Sequence, residues 1–209
     1  MSDASLPLTP LEKLLADGIP VCVAPDGQIL VEALPQCPPA PVILPGSFNP
    51  VHHGHWRLAR TAERRTNRAV VFELSVVNVD KPPLTLAEIR RRVAPFQWQA
   101  AVWLTRSARF AEKAERFPGA TFVVGADTAL RVVSPAYYDN DVGRMRASLE
   151  RIQSLGCRFL VACRVDAVGK CWRLHDLAIP GVFLEMFDEI PPEEFRWDVS
   201  STQLRTRSP

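Results

Sequence analysis

Long apolar runs are missing from this 209-residue chain. No stretch approaches the roughly 20 residues needed to cross a bilayer, and none opens the chain as a secretory leader, so we expect a cytoplasmic protein without a membrane partner. An excess of one charge sign is also lacking, since 25 basic and 23 acidic residues leave a formal +2. That is too little to coat a nucleic acid, and the clusters Arg64-Arg65 and Arg90-Arg91-Arg92 read as solvated helix faces. The five cysteines, at 22, 37, 157, 163 and 171, form no CxxC pair or other zinc spacing and lie largely in apolar strand-like runs. Reduced, buried thiols are expected. No HExxH pattern is present either. What the chain does have is length and 47% hydrophobic residues, enough to bury a sizeable core and to exclude disorder.

The apolar runs Val42–Leu44, Arg68–Val76, Ala101–Thr105, Thr121–Val124, Arg158–Cys163 and Val182–Phe187 read as strands. Between them, helical spacing marks Gly54–Arg65, Leu86–Val93, Ala108–Arg116, Thr128–Val133 and Val142–Leu155. This alternation predicts an α/β fold, a Rossmann-like open sheet, mostly parallel, with helices on both faces. Loops at the C-terminal ends of such strands form the expected site. Residues 1–40 precede the pattern and form an N-terminal extension to a main domain of residues 41–209. Within it, Ile19–Ala24 and Gln28–Leu34 flank Pro25-Asp26-Gly27, a hairpin signal. A lone hairpin is barely stable, so it should dock on the main domain or on another subunit.

The densest chemistry lies in Gly46-Ser47-Phe48-Asn49-Pro50-Val51-His52-His53-Gly54-His55, between the first apolar strand and an amphipathic helix. Unpaired N–H groups and the helix dipole favour an anion at such a helix start. Imidazoles beside them add directed hydrogen bonds, and positive charge when protonated. Glycine at 54 permits close approach of a large ligand. A histidine-rich loop of this kind also fits a metal site. Near the other end, Val199-Ser200-Ser201-Thr202-Gln203-Leu204-Arg205 joins helix-capping hydroxyls to an arginine able to fork onto phosphate oxygens.

These two segments resemble the GxFxPxHxGH and ISSTxxR motifs of the nucleotidylyltransferase superfamily. The resemblance spans roughly residues 41 to 205. It implies that His52 and His55 contact a triphosphate and stabilise the phosphoryl group under attack, with His53 at the variable position. Gly46, Ser47, Phe48, Asn49 and Gly54 then shape the first phosphate loop, and Ser200, Ser201, Thr202 and Arg205 the second. Gly125-Ala126-Asp127 resembles the GxD segment that takes the ribose and adenine, which makes Asp127 a ribose acceptor; it equally fits an N-cap for a helix beginning near Thr128. In the loop Asn78-Val79-Asp80-Lys81-Pro82-Pro83, Lys81 is placed to bind phosphate and Asn78 to orient a base or carboxamide.

The form Val-Ser-Ser-Thr-x-x-Arg looks closest to nicotinamide and nicotinate mononucleotide adenylyltransferases. The implied reaction moves AMP from ATP to the mononucleotide and releases pyrophosphate, with Mg2+ riding on the ATP. Trp98, Trp103, Tyr137, Tyr138 and Trp172 are the available stacking partners for a pyridine ring. Three alternatives stand beside this one: a cytidylyltransferase acting on a phosphorylated alcohol, a nucleotide-binding protein without turnover, and a metal hydrolase built on the histidines.

Overall fold

The computed structural model describes residues 9–31, 39–79, 82–165 and 170–196. In chain order the elements are α1 (Pro10–Asp17), β1 (Val21–Val23), β2 (Ile29–Val31), β3 (Val42–Pro45), α2 (His53–Thr66), β4 (Val70–Ser75), α3 (Leu86–Val93), β5 (Val102–Thr105), α4 (Phe110–Arg116) and β6 (Thr121–Gly125). After them come α5 (Ala126–Val133), α6 (Val142–Ser154), β7 (Arg158–Ala162), β8 (Arg164–Val165), β9 (Cys171–Trp172) and β10 (Phe187–Ile190).

Strands β3 to β7 carry continuous apolar runs because both faces of the sheet are covered. The order is β10-β7-β6-β3-β4-β5-β1-β2, parallel from β10 to β5 and antiparallel at β1 and β2. Its parallel part is the doubly wound Rossmann order. The chain winds outward from β3 through β4 to β5, then returns to β6 on the other side of β3. Ligand crevices form where winding reverses, here at the C-terminal ends of β3 and β6. On one face Val42, Leu44, Phe72 and Leu74 pack with Leu14 of α1, Ala59 and Ala62 of α2 and Ile89 of α3. On the other, Ile43, Phe122, Val124, Phe159 and Val161 pack with Ala114 of α4, Val132 of α5 and Leu149 and Ile152 of α6. The open α/β sheet with helices on both faces is therefore the fold.

The hairpin forms as Val21↔Val31 and Val23↔Ile29 and joins the main sheet through Cys22↔Trp103 beside β5. Helix α1 ahead of it is not among the helices read from periodicity, although its signals are local. Thr9 caps it and Glu12 closes a capping box, Pro10 sits in the first turn, and Gly18 ends it at φ 75°, each a favoured residue at its place. A cavity of about 420 Å³ lies between α1, the hairpin and α3, lined by Leu11, Val23, Ile29, Ile89 and Phe96.

Two expectations are corrected. Residues Gly181–Met186 form a 3-10 helix rather than a strand, and β10 begins only at Phe187. Phe183 and Met186 are buried three apart while Val182 and Leu184 are 63% and 53% exposed, which is a three-residue period and not an alternation. The second correction concerns thiols: Cys163 and Cys171 are joined as a disulfide across the β8–β9 hairpin. The chain reverses within eight residues there, bringing their Cα atoms to 5.9 Å. Cys22 and Cys157 are free and buried, and Cys37 lies outside the described residues.

A buried ion pair ties β4 to α4. Glu73 is 0% exposed and Lys113 5%; Lys113 Nζ meets the two carboxylate oxygens at 2.8 and 2.7 Å and donates to Ser107 C=O at 2.8 Å. Thr105 Oγ1 donates to the same carboxylate at 2.5 Å. Removing one partner strands the other charge in the core. Lys113→Met should therefore cost about 3–5 kcal/mol of stability, and Glu73→Leu/Lys113→Met markedly less. Urea denaturation of the two variants measures this, and equal losses would refute it.

Candidate active site

The histidine loop leaves β3 still attached to its neighbour, because Gly46 N–H donates to Glu73 C=O at 2.9 Å. Glycine is needed at 46, since a methyl there would lie 2.6 Å from Phe48 Cε1. The Phe48 ring folds back under the loop, 1% exposed. It meets His55 at 5.2 Å, Phe96 at 5.1 Å and Phe72 at 5.7 Å, all edge to face. These contacts hold Phe48 at φ 43°, a region a bulky residue otherwise avoids. Next to it the Asn49–Pro50 peptide bond is cis.

Helix α3 pins the loop from outside. Arg92 Nη1 donates to Ser47 C=O at 3.0 Å, and Arg91 Nη2 to Asn49 Oδ1 at 2.8 Å. These two arginines are thus loop supports, which corrects the reading of the cluster as a solvated face. Helix α3 is itself started by a Thr85–Glu88 capping box, so the position of both guanidinium groups is set by a well-capped turn.

His52 is the N-cap of α2, in extended conformation. Its backbone N–H donates to His55 Nδ1 at 3.1 Å, and the two rings lie 3.8 Å apart between centroids. With Nδ1 used as an acceptor, the neutral His55 ring carries its proton on Nε2. Burial, then His52, then Arg164 hold its pKa down to about 3. Burial and then Arg164 also lower that of His52. Both imidazoles are therefore neutral donors near pH 7. Arg164 adds formal positive charge near this helix start. Gly54 is buried in the first turn of α2 and His53 is exposed.

Arg164 has no counterpart among the residues picked from sequence. It stands two residues beyond Ala162, which pairs with Gly125, so it leaves β7 at the crevice edge. Among the described residues it has no carboxylate partner. Its signal was available: it is the first cation after an apolar strand in a fold whose strand ends carry the chemistry.

Gly125 ends β6 and caps α5, with φ −79° and ψ 158°. The helix begins at Ala126, so Asp127 lies within its first turn rather than at its cap, a correction to the N-cap alternative. Its carboxylate folds back over the strand end, and a methyl at 125 would sit 2.8 Å from Oδ1. β3 and β6 are paired through Val42↔Thr121 and Ile43↔Phe122, so the histidine and Gly125–Asp127 loops emerge side by side. Asn78 is exposed one strand further out, after β4. Lys81, Ser200, Ser201, Thr202 and Arg205 lie outside the described residues. Of the aromatic candidates, Trp103 and Tyr138 are core, whereas Trp98 and Tyr137 are exposed and Trp172 lies under Lys170.

Among the described residues no group of three or more His, Cys, Asp or Glu side chains is arranged to hold a metal ion. No described helix is long and apolar enough to cross a membrane.

The fold is a doubly wound α/β sheet with an imidazole pair and an arginine at the C-terminal ends of its strands, where such sheets bind their ligands. The sequence model of the cytidylyltransferase-like family matches residues 43–207, and the chain belongs to that family, within the nucleotidylyltransferase superfamily. Membership supports nucleotidyltransferase activity on a nucleotide substrate. Among curated proteins none matches the chain.

Two outcomes are expected from this geometry. Gly46→Ala forces the Phe48 ring aside and should cost about 1–3 kcal/mol, the scale of overpacking, as a lower urea midpoint. The second concerns pH. His55 takes up a proton near 6.5 when unfolded but only near 3 when folded, so the unfolded chain binds more protons between those values. Stability is therefore full above about pH 6.5 and declines as pH falls toward 3. His55→Asn should flatten that decline between pH 7 and pH 4; parallel curves for variant and wild type would count against the buried neutral state.

Proposed function

We propose that the protein transfers AMP from ATP to nicotinamide or nicotinate mononucleotide and releases pyrophosphate. The observation that carries the nucleotidyl-transfer part is the His52–His55 pair, set at the start of α2 on the switch point, with Nε2–H of His55 left to donate. The adenylyl and mononucleotide part rests on the resemblance of Val199-Ser200-Ser201-Thr202 and Arg205 to the corresponding segment of those enzymes.

A phosphate oxygen of the acceptor attacks the α-phosphorus in line. A new P–O bond forms, the bond from α-phosphorus to the bridging oxygen breaks, and pyrophosphate leaves with its electrons. Positioning and charge stabilisation dominate such transfers. Nε2–H of His55 and the first-turn N–H groups of α2 donate to non-bridging oxygens, and Arg164 supplies fixed positive charge. Neutral imidazoles give directed hydrogen bonds that do not depend on pH near neutrality. Asp127 accepts from a ribose hydroxyl, and by the family resemblance Arg205 with Ser200, Ser201 and Thr202 binds the phosphates. Lys81 and Asn78 contact the phosphates or the acceptor. Magnesium enters as part of the ATP substrate.

The family description equally favours CTP with a phosphorylated alcohol. Pyrophosphate release from full-length protein with ATP or CTP and a panel of mononucleotide and phospho-alcohol acceptors separates the two readings. Turnover only with ATP and a nicotinamide or nicotinate mononucleotide supports the proposal, and turnover only with CTP replaces it. Tight nucleotide binding with no pyrophosphate from any pair would mark a binding protein. His55→Ala should lower kcat by roughly 10²–10³-fold, the scale for a transition-state donor, while His53→Ala changes it little. A folded His55→Ala variant with undiminished rate would sink the assignment.

A further inference from the structure

Arg164, whose charge acts on His52 and His55, stands on β8, just past the C-terminal end of β7. Among the described residues β8 and β9 pair through Arg164↔Trp172 and Val165↔Cys171, apart from the main sheet, and a two-stranded ribbon of this kind holds its geometry poorly by itself. The two strands differ in anchorage. Behind β9, Arg173 binds Glu189 of β10 through both nitrogens, at 3.0 and 2.7 Å, and Leu174 N–H adds a third bond to that carboxylate at 3.2 Å. β8 has no such tie among the described residues, other than its covalent continuation from β7 and the Cys163–Cys171 bond. Cys163 is the residue between the last sheet position of β7 and Arg164. The disulfide therefore links the segment carrying Arg164 to the strand braced against β10.

We propose that Cys163–Cys171 is a thiol–disulfide control on the phosphate site, acting by holding Arg164 in place beside His52 and His55. The proposal rests on the reading of that site as a nucleotide triphosphate site. Cys171 is half-buried and Cys163 buried, so a thiolate of a dithiol reductant attacks the Cys171 sulfur. The S–S bond breaks, Cys163 leaves as thiolate and takes a proton, and the reductant's second thiolate displaces Cys171. Two electrons pass to the protein, which gains two thiols, and the reductant ends as a disulfide. The free cysteines among the described residues, Cys22 on β1 and Cys157 just before β7, are both buried and away from the ribbon in sequence.

The test is calorimetric titration of full-length protein with pyrophosphate, oxidised and after dithiothreitol, with thiols counted by alkylation and mass. Reduction should weaken binding about tenfold, within the range of coupled sites. Cys171→Ser should show the weak value with or without reductant. Arg164→Gln should bind weakly and equally in both redox states, a non-additivity that a merely structural staple does not produce. Equal binding by oxidised and reduced wild type overturns the control and leaves the phosphate site standing. A redox response that persists in Arg164→Gln overturns it too. Absence of pyrophosphate binding in either state removes both readings.

Discussion

The hydrogen bond from His52 N–H to His55 Nδ1 is the contact on which the candidate site depends. It uses a backbone donor that a helix start leaves unsatisfied and fills it with a side chain from the next turn. The same bond chooses the tautomer: with Nδ1 engaged, only Nε2 remains to donate. A structural need of the helix and a chemical need of the site are thus met by one contact. Glutamate commonly closes helix starts in this way, but would bring negative charge to the place where the proposed reaction puts phosphate. Histidine closes the turn without that charge.

This contact is only as good as the loop before it. Gly46 is tied to β4 through Glu73 C=O, Phe48 is fixed by three aromatic neighbours, and Ser47 and Asn49 are held by Arg92 and Arg91. A catalytic geometry is kept by side chains locked from behind on rigid elements. Here the backing comes from β4, from α3 and from an apolar cluster of Phe48, Phe72, Phe96 and Trp56. Glu73 joins two such supports. Its carbonyl holds Gly46, and its carboxylate binds Lys113 on the opposite face of the sheet.

Much of the fold was legible because strands buried on both faces show as unbroken apolar runs, and Val42–Leu44 and Thr121–Val124 are of that kind. Helix α3 was legible to the residue at Leu86 and Val93. The failures fall where burial is one-sided or brief. Helix α1 has one buried pair, Leu11 and Leu14, too little for periodicity to register, although its caps were plain. Residues Gly181–Met186 present apolar residues to solvent, which mimics a strand in composition and not in spacing. In the site, the histidine motif was legible as local spacing. Arg91, Arg92, Arg164 and the Cys163–Cys171 bond were not, because each acquires its meaning from a partner far along the chain or across a hairpin. A cluster of arginines on a helix looks solvated until the loop it grips is known.

The division of charge in the site follows from crowding. Two imidazoles with centroids 3.8 Å apart, partly buried and within the electrostatic reach of Arg164, resist protonation because each proton would be desolvated and would meet another cation. The site therefore holds its positive charge on a guanidinium, which does not titrate in water, and its directed donors on rings that stay neutral. An all-cationic site would bind the triphosphate and the departing pyrophosphate alike. Neutral donors aimed at a developing charge gain most as that charge grows, and so favour the transition state over the bound substrate. On the proposed reading, the cation stands on β8 and the neutral donors on α2, so fixed charge and directed hydrogen bonds reach the phosphates from separate elements.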